Sequence, residues 1–386
     1  MSLSESSFFS DVEYFCQSVR DKKTRLMPGA GRVVCDILSG DDVRQFVFES
    51  GARYPDLQVV LEGPVDHGDY TFPSGLVDVV ALAQLIHDGH SVVLHQLHNR
   101  SGPLASLVRE FEATFECRAQ ANVYFSPPNA AALPPHFDNH DVFIFQVEGT
   151  KTWQMMKGPI QLPGPETTFL PQQHEPGELE ESFQVSAGDV LYVPRGIMHH
   201  AVASESDAVH ITIGVFWTTY ADVAVDLLKH LIGRQAELRA SIPPDWRTST
   251  VVQQQVLAEI HKHVDAISIE EIRLVLTERW LDLVMTRQPL ISDQLEQLRQ
   301  RDEIKPSTQF RVRQLALWHQ SVHDDQAVVY CYGREIAFPS HIGPLLEALL
   351  RADGIVTINA LLKEIESADW KVVVQRLLAE GLLELV

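Results

Sequence analysis

Between Ala121 and Phe216 apolar side chains recur at every second position in short runs, each closed by proline, glycine or aspartate. This pattern limits the fold more than any other feature of the chain, because a two-residue period sends alternate side chains to opposite faces of a strand. Asn122-Val123-Tyr124-Phe125 runs into Ser126-Pro127-Pro128, where the proline pair ends the strand or confines it to an edge. Asp141 to Val147 puts Val142, Ile144 and Gln146 on one face and Phe143, Phe145 and Val147 on the other. Glu148-Gly149-Thr150-Lys151 reads as a hairpin turn into Thr152-Trp153-Gln154-Met155-Met156. After a loop rich in proline and glycine (158–177), Glu181 to Val185 and Val190 to Val193 are strands joined by Ala187-Gly188-Asp189, and Val209 to Phe216 is another. Short strands at this density specify an antiparallel barrel or sandwich.

Helical spacing dominates on both sides of this region. The first ~35 residues, with Phe8, Phe9, Tyr14 and Phe15 ahead of the basic run Arg20 to Arg25, predict an amphipathic helix and a turn. Helices are expected over 37–50, opened by Asp41 or Asp42, over 75–88, opened by Ser74, and from Pro103 to Phe115, with a buried strand at Val92-Val93-Leu94. Beyond Trp217, residues 221–239 carry Val225, Leu228, Leu231 and Ile232 on one helix face, and further helices follow at 249–264 and 268–285. From about 306, strands at Phe310 to Leu317 and Ala327 to Cys331 precede helices near 340–352, 357–364 and 369–380 and a terminal strand, an order like that of a winged helix. The expected domains are therefore 1–217, 218–304 and 305–386, as a length of 386 residues at about 150 per domain allows.

Charge narrows the partners. The 31 Lys and Arg against 52 Asp and Glu leave a net charge of −21. A general nucleic-acid coat needs the opposite sign, whereas a basic polypeptide is drawn to a negative field. The winged-helix-like segment offers no exception: from Lys305 onward eight basic residues face ten acidic ones, so DNA binding is not expected. Apolar runs fall short of the ~20 residues that a membrane helix needs, and no secretory signal is visible at Met1 to Glu5. Cys16, Cys35, Cys117 and Cys331 are dispersed, which argues against both a disulfide framework and a structural zinc site. The chain reads as cytoplasmic.

The chemistry is concentrated at Pro134-Pro135-His136-Phe137-Asp138. On a strand, His136 and Asp138 project to one side and offer a nitrogen and an oxygen to one point. A third donor stands after Gly188-Asp189, the strand Val190 to Val193 and the bend Pro194-Arg195-Gly196: His199 or its neighbour His200, between which spacing cannot choose. Two histidines and one carboxylate leave three octahedral positions open and suit non-haem Fe(II), whereas structural zinc takes four ligands. His140 shares the period of His136 and Asp138 and reads as a neighbour of the centre rather than a ligand. Lys151 opens the strand after the hairpin; buried there, its ammonium needs an anion, and 2-oxoglutarate could chelate iron at its keto-acid end and offer that anion at the other. Asn122 and Thr212 are polar strand residues suited to bonding the same diacid.

The ordered set Asn122-Val123-Tyr124, Pro135-His136-Phe137-Asp138, Gln146-Val147-Glu148-Gly149-Thr150-Lys151-Thr152-Trp153, Gly188-Asp189 and Pro194-Arg195-Gly196-Ile197-Met198-His199 resembles the JmjC-type ribosomal oxygenases of the cupin-4 group. The resemblance is strongest over about 90–217 and looser beyond. It implies a mixed α and β chain: a double-stranded β-helix (cupin/JmjC jelly roll), then a helical dimerisation region and a winged-helix domain. It implies His136, Asp138 and His199 as iron ligands, because the P-R-G-x-x-H pattern ends on His199. It further implies Lys151 and Asn122 as contacts of 2-oxoglutarate, Thr212 as a weaker one, and Tyr124 at the border of the substrate channel. The implied activity is Fe(II)-, 2-oxoglutarate- and O2-dependent hydroxylation of an arginine or histidine of a ribosomal protein, by a homodimer.

The sequence departs from that pattern at Asn129-Ala130-Ala131-Ala132, where a Gly-rich loop is usual, at His200 in place of Gln, and at Met155-Met156 after the tryptophan. Those positions bear on the substrate more than on the chemistry. Rival readings are an N-methyl demethylase, a small-molecule or peptide hydroxylase, and a metal-binding cupin sensor with a DNA-binding winged helix.

Overall fold

Alternation along each strand sorts the side chains of the barrel region into two layers. In the computed structural model, which describes residues 12–323, 325–361 and 369–386, ten strands precede Trp217: β1 (Arg25–Met27), β2 (Leu57–Val60), β3 (Ser91–Leu94), β4 (Arg118–Ser126), β5 (Asp141–Glu148), β6 (Thr150–Met156), β7 (Leu179–Ser186), β8 (Val190–Val193), β9 (Met198–Ala203) and β10 (Ala208–Phe216). Seven form one antiparallel sheet in the order β1-β8-β5-β10-β4-β3-β2, and β7-β6-β9 form a second. The even residues Val142 and Ile144 of β5 pack with Leu191 and Val193 of β8 against Trp153, Met155 and Val185 of the small sheet, closing the space between the sheets. The odd residues Phe143 and Phe145 face the other way, into a larger core with the helices. There Phe143 lies 5.1 Å from Phe111 and 5.4 Å from Phe15, ring to ring.

Those helices are α1 (Val12–Ser18), α2 (Arg32–Ile37), α3 (Gly40–Glu49), α4 (Val79–His87) and α5 (Gly102–Phe115). Their starts differ from the sequence expectation. Ser39, not Asp41 or Asp42, caps α3, through a reciprocal box with Asp42. Asp78 rather than Ser74 caps α4, its carboxylate accepting from the Val80 and Ala81 amides. The basic run near Arg25 enters β1 and pairs with β8, and β2 has no counterpart in the expectation. Phe8 and Phe9 lie outside the described residues. The Pro127-Pro128 pair ends β4, which is an inner strand between β10 and β3.

The chain divides into two compact units between Trp217 and Thr218. The second opens with α6 (Tyr220–Arg234), α7 (Thr250–Val264), α8 (Ile269–Thr286) and α9 (Gln294–Gln300). Helix α6 ends five residues earlier than 239 and buries Leu227 and Leu231, while Val225, Leu228 and Ile232 of the expected apolar face are exposed. Then follow β11 (Gln309–Val312), β12 (His319–His323), β13 (Gln326–Cys331), β14 (Arg334–Pro339), α10 (Gly343–Leu350), β15 (Val356–Thr357), α11 (Ile358–Leu361), α12 (Trp370–Ala379) and β16 (Leu383–Leu385). Strands β15-β11-β16 form one sheet and β12-β13-β14 another; β12 and β14 are additions to the expected order. Part of the helix expected at 357–364 lies outside the described residues. No helix among the described residues is long and apolar enough to cross a membrane.

Candidate metal centre

His136 sits just before β5 and bridges to the start of β9. The His199 amide donates to the His136 carbonyl at 2.7 Å, and the His136 amide returns a bond of 3.2 Å. This antiparallel bridge brings the two imidazoles to 4.4 Å, centroid to centroid. One donor atom from each of His136, Asp138 and His199 lies within 4.8 Å of the others. In both rings Nδ1 contacts the carbonyl two residues upstream, that of Pro134 at 2.9 Å and of Ile197 at 3.0 Å. A carbonyl only accepts, so Nδ1 carries the proton and Nε2 keeps its lone pair for a metal. His199 Nε2 is 3.6 Å from Asp138 Oδ2.

Electrostatics agree with a ligand set. Burial pushes the His199 imidazole down to about 4, with the neighbouring His136 adding to the effect, so it is neutral near pH 7. Burial works to raise the Asp138 carboxyl, but His199, His136 and His140 outweigh it and hold it below the ordinary carboxylate range. Both states are the ones that metal binding requires. His200 is not part of the cluster, as alternation along β9 requires. His140 stacks on Phe216 at 4.5 Å over Gly214, where a Cβ would come within 2.8 Å of the imidazole.

Deeper between the sheets, polar side chains of β4, β6 and β10 meet. Lys151 is 2% exposed, and its ammonium donates to the Ser126 hydroxyl at 2.8 Å, its one hydrogen bond among the described residues. Burial lowers it to about 7. His210 pairs with Tyr124 in the β4–β10 register and stacks on it at 4.6 Å; Trp153 meets the His210 ring edge-on at 5.5 Å and lies 5.9 Å from His199. Thr212 pairs with Asn122 one step further along, and Asn122 Oδ1 accepts from the Gln96 amide at 2.9 Å. Trp153 Nε1 and His210 Nδ1 are buried with no hydrogen bond among the described residues. Burial, with the nearby Asp138 charge, raises the Tyr124 phenol. Ser126 and His210 were not singled out from sequence; their even-numbered places on inward-facing strands are the signal that could have marked them.

Two facing antiparallel sheets with a two-histidine, one-carboxylate set define a double-stranded β-helix of the cupin class, whose donor set could hold a metal with open positions. Within that class, residues 95–223 match the JmjC domain family and form a JmjC domain. A segment of the chain is 31% identical over 172 residues to the bifunctional lysine-specific demethylase and histidyl-hydroxylase NO66 of Dictyostelium discoideum, covering 41% of this chain and 32% of that protein. The protein of the same name from Drosophila simulans is 33% identical over 153 residues, 36% of this chain and 17% of its own length. The chain thus spans a third or less of the length of these curated relatives. Among solved structures, the Escherichia coli ribosomal oxygenase YcfD aligns with 97% of this chain and 98% of its own, at a TM-score of 0.56 and 17% identity. The same protein in complex with cobalt and 2-oxoglutarate aligns at 0.55 and 16%, over 97% of both chains. At that identity the likeness is one of fold.

Proposed function

We propose that the protein is an Fe(II)- and 2-oxoglutarate-dependent oxygenase of the cytoplasm that hydroxylates an arginine or histidine side chain of a ribosomal protein. The observation that carries this reading is the buried ammonium of Lys151, which among the described residues meets only a neutral hydroxyl. A buried cation is costly without a counter-anion, so the barrel interior suits an anionic ligand. In the β6–β9 register Lys151 lies opposite Ala203 and Met155 opposite His199. Four strand residues span about 13 Å, a gap that a lysine side chain and a five-carbon diacid can share.

His136, Asp138 and His199 would hold the iron, and Lys151 with Ser126 would hold the far carboxylate of 2-oxoglutarate. Bound iron, 2-oxoglutarate and O2 supply the oxidising power, the keto acid leaving as succinate and CO2 while one oxygen atom enters a C–H bond. The chain supplies position. Trp153 lies between the two ends and with Val142 and Ile144 excludes water; Thr212, paired with Ile144 in register, and Asn122 beside it continue the same sheet face, and Tyr124 borders the substrate channel. The net charge of −21 suits the basic segments of ribosomal proteins. A winged-helix-like C-terminal module without DNA binding, and a homodimer formed through the helices after Trp217, complete the proposal.

The test is incubation of the purified protein with ribosomal proteins, Fe(II), 2-oxoglutarate and O2, followed by mass spectrometry. One added oxygen on a single Arg or His, with matching succinate, is the expected result. Succinate formation without such an adduct would remove the ribosomal substrate. Because the NO66 relatives carry both activities in their names, formaldehyde is measured as well, and its release would move the reading to demethylation.

A further inference from the structure

Asp141 opens β5 three residues after Asp138, and its fully buried carboxylate gathers four donors. The Arg195 amide reaches it at 3.0 Å, Arg195 Nη1 at 3.4 Å and Trp217 Nε1 at 2.6 Å, and the Tyr192 hydroxyl also donates to it. Arg195 Nη1 is held from its other side by Asp21 at 2.8 Å. Burial raises the Asp141 carboxyl above the ordinary carboxylate range, and the four convergent donors work against that rise.

What the carboxylate grips is the bend between β8 and β9. One residue on, the Gly196 amide donates to the Asp138 carbonyl at 3.0 Å. The next residue, Ile197, supplies the carbonyl that fixes His199 Nδ1. His199 then bridges back to His136 through two backbone bonds. The path Asp141, Arg195, Gly196, Ile197, His199, His136, Asp138 closes on itself, so the place of the bend sets the place and tautomer of the third imidazole.

We propose that Asp141 is the positioning residue of the metal centre: by pinning the Arg195 amide it holds His199 Nε2 in register with His136 and Asp138. This rests on the metal-centre reading above. Partners that orient metal ligands in this indirect way typically change affinity about 10- to 100-fold when lost.

The test is anaerobic titration with Co(II), read by its visible absorption, for the wild type, Asp141→Asn and Tyr192→Phe, with thermal unfolding of each metal-free protein. Tyr192→Phe removes a donor from the same carboxylate but leaves the bend pinned. The expected result is a Co(II) dissociation constant raised about tenfold or more with an altered spectrum in Asp141→Asn, and one within about twofold of wild type in Tyr192→Phe. Wild-type affinity and spectrum in folded Asp141→Asn would overturn the proposal, as would an equal loss in Tyr192→Phe, which marks general destabilisation. If Asp141→Asn does not fold, Asp141→Ala, which leaves the Arg195 amide without its acceptor, decides, a loss of about threefold or more supporting the pin and wild-type affinity overturning it. Failure of the wild type to bind Co(II) at all would sink the metal-centre reading itself.

Discussion

Lys151 Nζ lies 2.8 Å from the Ser126 hydroxyl, and Ser126 in turn accepts from Ser91 at 2.9 Å, all three inside the barrel. The ammonium thus ends in a chain of neutral hydroxyls, and its proton is loosely held, with a pKa lowered by burial to about 7. A bound carboxylate would hold that proton firmly. Affinity for 2-oxoglutarate should therefore be flat below pH 7 and fall about tenfold per pH unit above it. Calorimetric titration with 2-oxoglutarate, using protein loaded with Mn(II), from pH 6 to pH 9 measures the slope; constant affinity across that range would show that Lys151 does not hold the diacid.

The same residue separates stability from function. The folded lysine titrates near 7 and the unfolded one at the ordinary lysine value of 10.5, so the folded state is penalised below pH 7 and the penalty fades as pH rises to 10.5. Lys151→Met should stabilise the metal-free protein at pH 6 by on the order of 1–3 kcal/mol, read as a higher melting temperature, and the gain should vanish near pH 10.5. It should also raise the KM for 2-oxoglutarate by two orders of magnitude or so, the cost of leaving the far carboxylate unpaired. A structural lysine would show the opposite sign in the melt.

His199 and His200 are adjacent but serve different faces of β9, and metal binding should tell them apart. His199→Ala is expected to abolish stoichiometric Mn(II) binding, and His200→Ala to leave it within about threefold of wild type. Electron paramagnetic resonance of the free Mn(II) fraction gives both values in one experiment.

Gly149 carries the hairpin that delivers Lys151. Its φ is +68°, and a Cβ there would run into the Asp207 carbonyl. Gly149→Ala should cost on the order of 2 kcal/mol or more in urea unfolding, and because β6 is displaced it should weaken 2-oxoglutarate binding more than metal binding. An equal loss of both would mean that the turn supports the whole barrel rather than the diacid end.

The barrel was legible because a two-residue period leaves little choice: the faces assigned to Val142, Ile144, Phe143 and Phe145 are those found in the two cores. Helix starts were less so. Asp41, Asp42 and Ser74 are all good capping residues, and the choice of Ser39 and Asp78 depends on which backbone amides the packed helix leaves free. On α6 the 3.6-residue period was legible but not what covers the stripe, because periodicity does not show which neighbour takes it: Leu231 is buried, whereas Val225, Leu228 and Ile232 are exposed. The H-x-D spacing pointed to a metal, but the two Nδ1 bonds that free Nε2 rest on backbone carbonyls, which no side-chain motif records. Nor could Asp141 be linked to Arg195, 54 residues away, before β5 and β8 were paired.

The exposed stripe on α6 bears on assembly. Val225, Leu228 and Ile232 are 48%, 41% and 45% exposed at helical spacing, while Leu227 and Leu231 of the same helix are buried. A second apolar stripe beside a satisfied one is the pattern of a helix with another partner, and burying each side chain would contribute on the order of 1–2 kcal/mol. If that partner is a second copy, light scattering should give twice the 43.4 kDa chain mass for the wild type, and the double substitution Leu228→Glu with Ile232→Glu should give a single chain, since four like charges would meet across a two-fold axis. The barrel unit keeps its own core, so Co(II) binding by the monomeric variant should be unchanged. A wild type that runs as a monomer would show that the stripe does not join two copies.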